Sequence, residues 1–192
     1  MPQLGIMGGT FDPIHLGHLR AAESAREALD LASVLFVPLR LPPHRRAPGA
    51  APHHRYAMVA IALCGHPGFA VSDLEITRDG PSYTCETLAL LHGRRPDQDL
   101  VLIVGSDNLA EIPSWKQPER LRELCRFAVV DRPGVAAAAM PAELEGHVDR
   151  VPGPALDVSS SLVRARLRER KSVRYLVPDG VADYLEKLGL YA

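Results

Sequence analysis

Two histidines three residues apart, His15 and His18, follow the run Gly8-Gly9-Thr10-Phe11-Asp12-Pro13-Ile14 and open an amphipathic stretch. Imidazole donors at a helix start, with the positive end of the helix dipole behind them, suit phosphoryl oxygens. Gly17 between the histidines removes a side chain from the approach. The apolar run before them reads as a strand that breaks at the glycine pair, so that Gly8, Gly9, Thr10 and Phe11 form a cradle of backbone N–H groups for phosphate. Neither common nucleotide fingerprint is present: there is no G-x-x-x-x-G-K-[ST], and Gly5-Ile6-Met7-Gly8-Gly9 lacks the G-x-G-x-x-G spacing. The histidines stand where a P-loop carries lysine.

A second group of the same chemistry lies far along the chain. Asp157-Val158-Ser159-Ser160-Ser161 places hydroxyls at a helix start, and Arg164 follows one turn later. Ser160, Ser161 and the Arg164 guanidinium together make a second anion site, with N–H groups and a planar fork converging on phosphoryl oxygens. Between the two groups runs a cationic loop stiffened by prolines, Arg40-Leu41-Pro42-Pro43-His44-Arg45-Arg46, which reads as a phosphate clamp with Arg45 its candidate contact.

These residues need a frame that gathers them. Apolar runs at 4–7, 34–38, 69–72, 100–104, 127–130 and 148–151 read as strands. Helical patterns over 16–29, 54–63, 82–92, 118–124, 159–170 and 181–188 alternate with them. Apolar strands without polar alternation, joined by helices, predict an α/β fold: a doubly wound parallel sheet covered on both faces. Its ligand crevice then lies outside the carboxyl ends of the strands. The glycine–histidine run, the cationic loop and Gly105-Ser106-Asp107-Asn108 all fall at such ends, so one site can collect them. Asp107 is suited there either to accept from a ribose hydroxyl or to cap a helix. A chain of 192 residues fits one domain, with a small helical C-terminal part from about residue 157.

Bulk properties narrow the partners. A net charge of −1 gives no electrostatic reason to expect nucleic acid. No apolar stretch reaches the ~18 residues of a membrane span, and no signal-like leader opens the chain. Cys64, Cys85 and Cys125 show no C-x-x-C spacing and read as reduced, buried thiols of a cytoplasmic protein. No carboxylate cluster suggests a metal site held by protein alone. A homo-oligomer stays open.

His15-Leu16-Gly17-His18 with Thr10 upstream resembles the H-x-G-H signature of the nucleotidyltransferases, which transfer AMP or CMP from a nucleoside triphosphate. The Asp157–Arg164 segment is similar to the I-S-S-T-x-I-R motif of that superfamily, with Val158 and Ser161 replacing its Ile and Thr. The superfamily also contains phosphopantetheine adenylyltransferase and the cytidylyltransferases. Pro81-Ser82-Tyr83-Thr84 followed by Thr87-Leu88 resembles more narrowly the P-S-Y-T-x-x-T-L segment of bacterial nicotinate-mononucleotide adenylyltransferases. Gly105-Ser106-Asp107-Asn108-Leu109 with Trp115, Pro42-Pro43-His44-Arg45, Arg132-Pro133-Gly134 and the tail to Tyr191 are similar to the same family, in the same order.

The resemblance implies a Rossmann-like nucleotidyltransferase fold and adenylyl transfer from ATP to nicotinate mononucleotide. It implies catalysis by His15, His18 and Arg164, and ATP contacts from Gly8, Gly9, Thr10, Phe11, Gly105, Asp107, Ser160 and Ser161. Ser82, Tyr83, Thr84, Trp115 and Arg45 would take the mononucleotide, with Trp115 stacking on the pyridine ring. Mg²⁺ would arrive with ATP, held mainly by its phosphates.

Overall fold

The computed structural model describes residues 1–42, 47–131 and 140–192. Its framework is a six-stranded sheet in the order β3-β2-β1-β4-β5-β6. The strands are β1 (Gln3–Gly9), β2 (Ser33–Pro38), β3 (Phe69–Val71), β4 (Asp99–Gly105), β5 (Arg126–Val130) and β6 (Val148–Val151). Every pairing is parallel. The helices are α1 (Leu16–Ala28), α2 (Pro52–Ala62), α3 (Thr84–Arg94), α4 (Pro118–Leu124), α5 (Ser160–Arg168) and α6 (Asp179–Leu188). This is the α/β arrangement that the apolar strands predict.

Period-two alternation explains why those strands carry no polar face. In β4, Val101 and Ile103 join one core with Phe36 of β2 and Val130 of β5, and helix residues Ala22, Met58, Val163 and Val181 cover that side. Leu100, Leu102 and Val104 point the other way, into a second core with Val37, Phe127, Leu88 and Leu121. Both faces are therefore apolar, as buried parallel strands require. The C-terminal helices share the first core with α1 and α2, through Val163 of α5 and Val181, Ala182 and Leu185 of α6.

The chain runs from β1 outward through β2 to β3, then crosses back so that β4 lies on the other side of β1. The carboxyl ends of β1 and β4 are thus the topological switch point of the sheet, where such folds bind ligands.

Three details differ from the sequence reading. The first strand does not break at the glycine pair. Gly8 and Gly9 stay in register with Val37 and Pro38, and Leu39 N donates to Gly9 O at 2.9 Å. The partner strand is long enough to keep the ladder going, so the loop begins only at Thr10. Ser106–Ser114 forms a 3-10 helix where the sequence reading assigns no element, with Pro113 inside it. Cys64 is exposed, while Cys85 and Cys125 are buried and all three are unbridged. Burial pushes the Cys125 thiol up to about 12.

Candidate active site

A cavity of about 590 Å³ opens at the switch point, at the carboxyl ends of β1 and β4. From the first loop and α1 it is lined by Gly8, Gly9, Thr10, Phe11, His15, Gly17 and His18. Gly105, Asp107, Ser160 and Ser161 also border it, as do Ser82, Tyr83, Thr84 and Trp115. The sequence-assigned residues therefore meet in one place, apart from Arg164 and Arg45. Arg45 and Arg132-Pro133-Gly134 lie outside the described residues.

The histidine pair has a defined geometry. His15 is the N-cap of α1, with extended backbone at φ −147° and ψ 169°. Its backbone N–H donates to His18 Nδ1 at 3.3 Å. An accepting Nδ1 carries no proton, so the neutral ring keeps its proton on Nε2, the donor form that a phosphoryl oxygen needs. The two imidazoles stack with centroids 3.7 Å apart, and Phe11 meets His18 edge-on at 5.1 Å. Phe11 is itself buried and props the imidazole from the core side.

Two glycines are explained by these rings. A Cβ on Gly17 would lie 3.0 Å from His15 Nδ1 and 3.1 Å from its Cε1. A Cβ on Gly9 would lie 2.8 Å from the Phe11 ring. A side chain at Gly9 displaces the Phe11 ring that supports the pair, and one at Gly17 crowds His15 itself.

The serine segment closes the cavity from the C-terminal side. Ser159 caps α5 by accepting from Leu162 N at 3.2 Å. Ser160 Oγ donates to Pro13 O at 2.8 Å, which ties this helix start to the loop before the histidines. Arg164 does not border the cavity. Its Nη1 donates to Asp12 O at 2.6 Å and its Nη2 to Ser161 Oγ at 3.2 Å. Asp12 Oδ2 lies 3.7 Å from Nη1. The guanidinium thus stands behind the serines, coupled to the site through Ser161 and the Asp12 backbone.

At the opposite end, Tyr83 is the N-cap of α3 and Thr84 its first residue. A helix start leaves N–H groups without intrahelical acceptors, and here that start borders the cavity. Ser82 contributes position more than contact. Its N–H donates to Leu41 O at 3.0 Å, and its buried hydroxyl accepts from Arg40 N at 3.1 Å. Trp115, half-buried against the second core, ends the 3-10 helix and forms the facing wall. Asp107 lies in the first turn of that same 3-10 helix. Arg40 turns away, donating to Ile76 O at 3.2 Å and pairing with Asp79 at 3.1 Å.

A cytidylyltransferase-like family model matches residues 6–166 of this chain. A probable nicotinate-nucleotide adenylyltransferase of Thermomicrobium roseum is 42% identical, over 100% of this chain and 92% of that protein. One from Roseiflexus is 44% identical, over 98% of this chain and 97% of its own length. The chain belongs to the nicotinate-nucleotide adenylyltransferase family. The fold is also that of a Plasmodium falciparum nicotinic acid mononucleotide adenylyltransferase solved with NaAD. The TM-score is 0.83 at 21% identity, with 100% of this chain and 98% of that one covered.

In this family member, several supporting residues escape a reading of motifs. Asp12 is buried and its carboxylate accepts from Gly49 N at 2.8 Å, Ala50 N at 3.0 Å and Tyr191 Oη at 2.6 Å. Burial and the Asp12 carboxylate push the Tyr191 hydroxyl pKa well up, so it stays a donor. Arg55, 0% exposed, donates to Ala50 O, Thr10 O, Leu39 O and Arg40 O at 2.6–3.1 Å. Burial lowers its pKa, and the Asp12 charge opposes that shift. Glu75 is buried beneath α3 and accepts from Thr87 Oγ1. Burial raises its pKa against hydrogen bonds from Ser82 and Thr87.

Arg164→Ala removes the guanidinium that braces Asp12 O and Ser161. Hydrogen bonds of a charged donor are worth about 1.5–3 kcal/mol, so KM for ATP is expected to rise roughly ten- to a hundredfold. The KM for the acceptor should move less. Steady-state kinetics on the folded variant decide this, and an unchanged KM for ATP with unchanged kcat removes Arg164 from the site.

Proposed function

We propose that this chain transfers AMP from ATP to nicotinate mononucleotide, forming nicotinate adenine dinucleotide and pyrophosphate, a step of NAD biosynthesis in the cytoplasm. The observation that carries this is one cavity whose two ends differ in chemistry. A histidine pair and a serine-capped helix start stand at one end, an aromatic wall beside a second helix start at the other.

The acceptor's 5′-phosphate oxygen attacks the α-phosphorus of ATP, and the bond to the bridging oxygen of pyrophosphate breaks. That phosphate is already largely dianionic near neutral pH, its second pKa being about 6. No general base is therefore required, and no side chain need form a covalent intermediate. Rate comes from alignment and from neutralising charge on the transferring and leaving groups. His18 donates through Nε2–H, His15 stands stacked beside it, and Thr10 lines the cradle. Ser161 and Arg164 brace the triphosphate side. Among the described residues no three His, Cys, Asp or Glu side chains form a metal group. In this proposal Mg²⁺ enters as part of the MgATP substrate.

At the other end Trp115 and Tyr83 hold the pyridine ring, while the α3 start offers backbone donors to its substituent. A carboxylate accepts from such donors with both oxygens, whereas an amide must turn an NH₂ toward groups that cannot receive it. That mismatch costs about 1–3 kcal/mol, or roughly ten- to two-hundredfold in kcat/KM.

Parallel assays with ATP and nicotinate mononucleotide, nicotinamide mononucleotide or phosphopantetheine test the proposal through pyrophosphate release and dinucleotide formation. The acid is expected to be the preferred acceptor by that factor. Equal kcat/KM for acid and amide defeats the donor-only pocket. Turnover with phosphopantetheine alone defeats the whole assignment.

A further inference from the structure

Charge is unevenly spread around the cavity. The described lining residues include four carboxylates, Asp107, Glu111, Asp131 and Asp157, and no arginine. They include a single lysine, Lys116, one of three in the whole chain. A site proposed to take two anionic nucleotides thus offers one full ammonium charge from these walls. That charge stands at the aromatic end, away from the histidines.

Lys116 follows Trp115 and reaches across to α3. Its Nζ lies 4.2 Å from the centroid of the Tyr83 ring and 2.6 Å from Glu86 Oε1. Arg78 pairs with the same carboxylate at 3.1 Å. Two cations thus share the Glu86 carboxylate, so Glu86 does not neutralise Lys116 alone. The Glu86 hydrogen bond raises the Lys116 pKa, so the ammonium stays charged. Glu86 and the Tyr83 face hold it in place, where a bare surface lysine would sample many rotamers.

We infer that Lys116 is a specificity-determining residue, which favours an acceptor carrying a carboxylate on its pyridine ring over one carrying a neutral amide. The inference rests on the acceptor reading above and adds a charge to it. Backbone dipoles at the α3 start discriminate by hydrogen-bond direction, whereas Lys116 discriminates by Coulomb attraction, which salt screens.

Lys116→Gln keeps most of the stem and removes the charge. It is expected to lower the acid-to-amide ratio of kcat/KM about three- to tenfold, the size of one partly screened contact between unit charges. Lys116→Arg should keep the ratio. The wild-type ratio should fall as salt shortens the screening length from about 10 Å at 0.1 M to about 3 Å at 1 M, and the Gln variant's ratio should be flatter.

A purely structural Lys116, needed only to brace Trp115 against Tyr83, would lower kcat/KM for both acceptors alike. A ratio unchanged by Lys116→Gln at low salt therefore overturns the inference. When the wild type still prefers the acid in that experiment, the adenylyltransferase reading survives and only the role of Lys116 falls. A wild type that uses neither acceptor, or both equally, overturns the acceptor reading and this inference with it.

Discussion

His18→Ala is expected to lower kcat by roughly 10²–10³, the cost of deleting one preorganised donor at developing charge, while the fold is retained. The ring is half-buried, wedged between His15 at 3.7 Å and Phe11 at 5.1 Å, so its orientation is fixed before substrate arrives. Its Nδ1 accepts from the His15 N–H, so the proton of the neutral ring sits on Nε2. Alanine removes both roles together. Losing an N-terminal capping contact costs about 0.5–2 kcal/mol, which should appear as a modest drop in Tm. A solvated helix-start histidine would show neither effect. Circular dichroism and thermal melting on the same sample as the kinetics separate folding from turnover. A folded His18→Ala protein with near wild-type kcat takes His18 out of the mechanism.

Much of this site is legible in the sequence because the groups that line the cavity cluster in short runs. The Gly8–His18 stretch, Ser82-Tyr83-Thr84 and Ser159-Ser160-Ser161 each sit at a strand's end or helix start, and local chemistry names them. The groups that hold those runs together are scattered, and pairwise distance in sequence hides them. Asp12 is bonded by Gly49, Ala50 and Tyr191, partners 37, 38 and 179 residues away. Arg164 reads as a phosphate fork, yet its nearest acceptor is the Asp12 carbonyl. Only the folded chain shows that the histidine loop and the serine-capped helix are braced together through Asp12.

Arg55 carried a signal that periodicity alone nearly shows. It stands three and four residues before Met58 and Val59, both fully buried, on the apolar stripe of α2. A charged residue on such a stripe breaks the amphipathic pattern. His53-Arg55 beside a cationic loop invites the opposite reading, a solvated basic patch. The 3-10 helix at Ser106–Ser114 left no comparable trace. Its buried residues Ser106, Leu109 and Ile112 recur every third position, a 3-10 period too short-lived to read beside the proline inside it.

Arg55→Ala should therefore be among the most destabilising single changes in the chain. Its guanidinium serves four carbonyls, Thr10 O at 2.7 Å, Leu39 O at 2.6 Å, Arg40 O at 2.9 Å and Ala50 O at 3.1 Å. These belong to the loop after β1 and the loop after β2, where the ladder between the two strands ends with the Leu39 N–H to Gly9 O bond. Alanine strands those acceptors and withdraws a positive charge from the field that compensates buried Asp12. Removing one partner of a buried charged network costs about 3–5 kcal/mol, a large part of the 5–15 kcal/mol typical of a whole domain. Arg55→Lys should lose less, since an ammonium restores the charge but cannot fork to carbonyls in several directions. The midpoint of denaturant unfolding, at unchanged m-value, measures the difference. Because Thr10 and Leu39 both border the cavity, the surviving folded fraction should also bind ATP more weakly. An unfolding free energy within about 0.5 kcal/mol of wild type, the ordinary range for surface substitutions, would mean that the two loops are held by packing and not by this guanidinium.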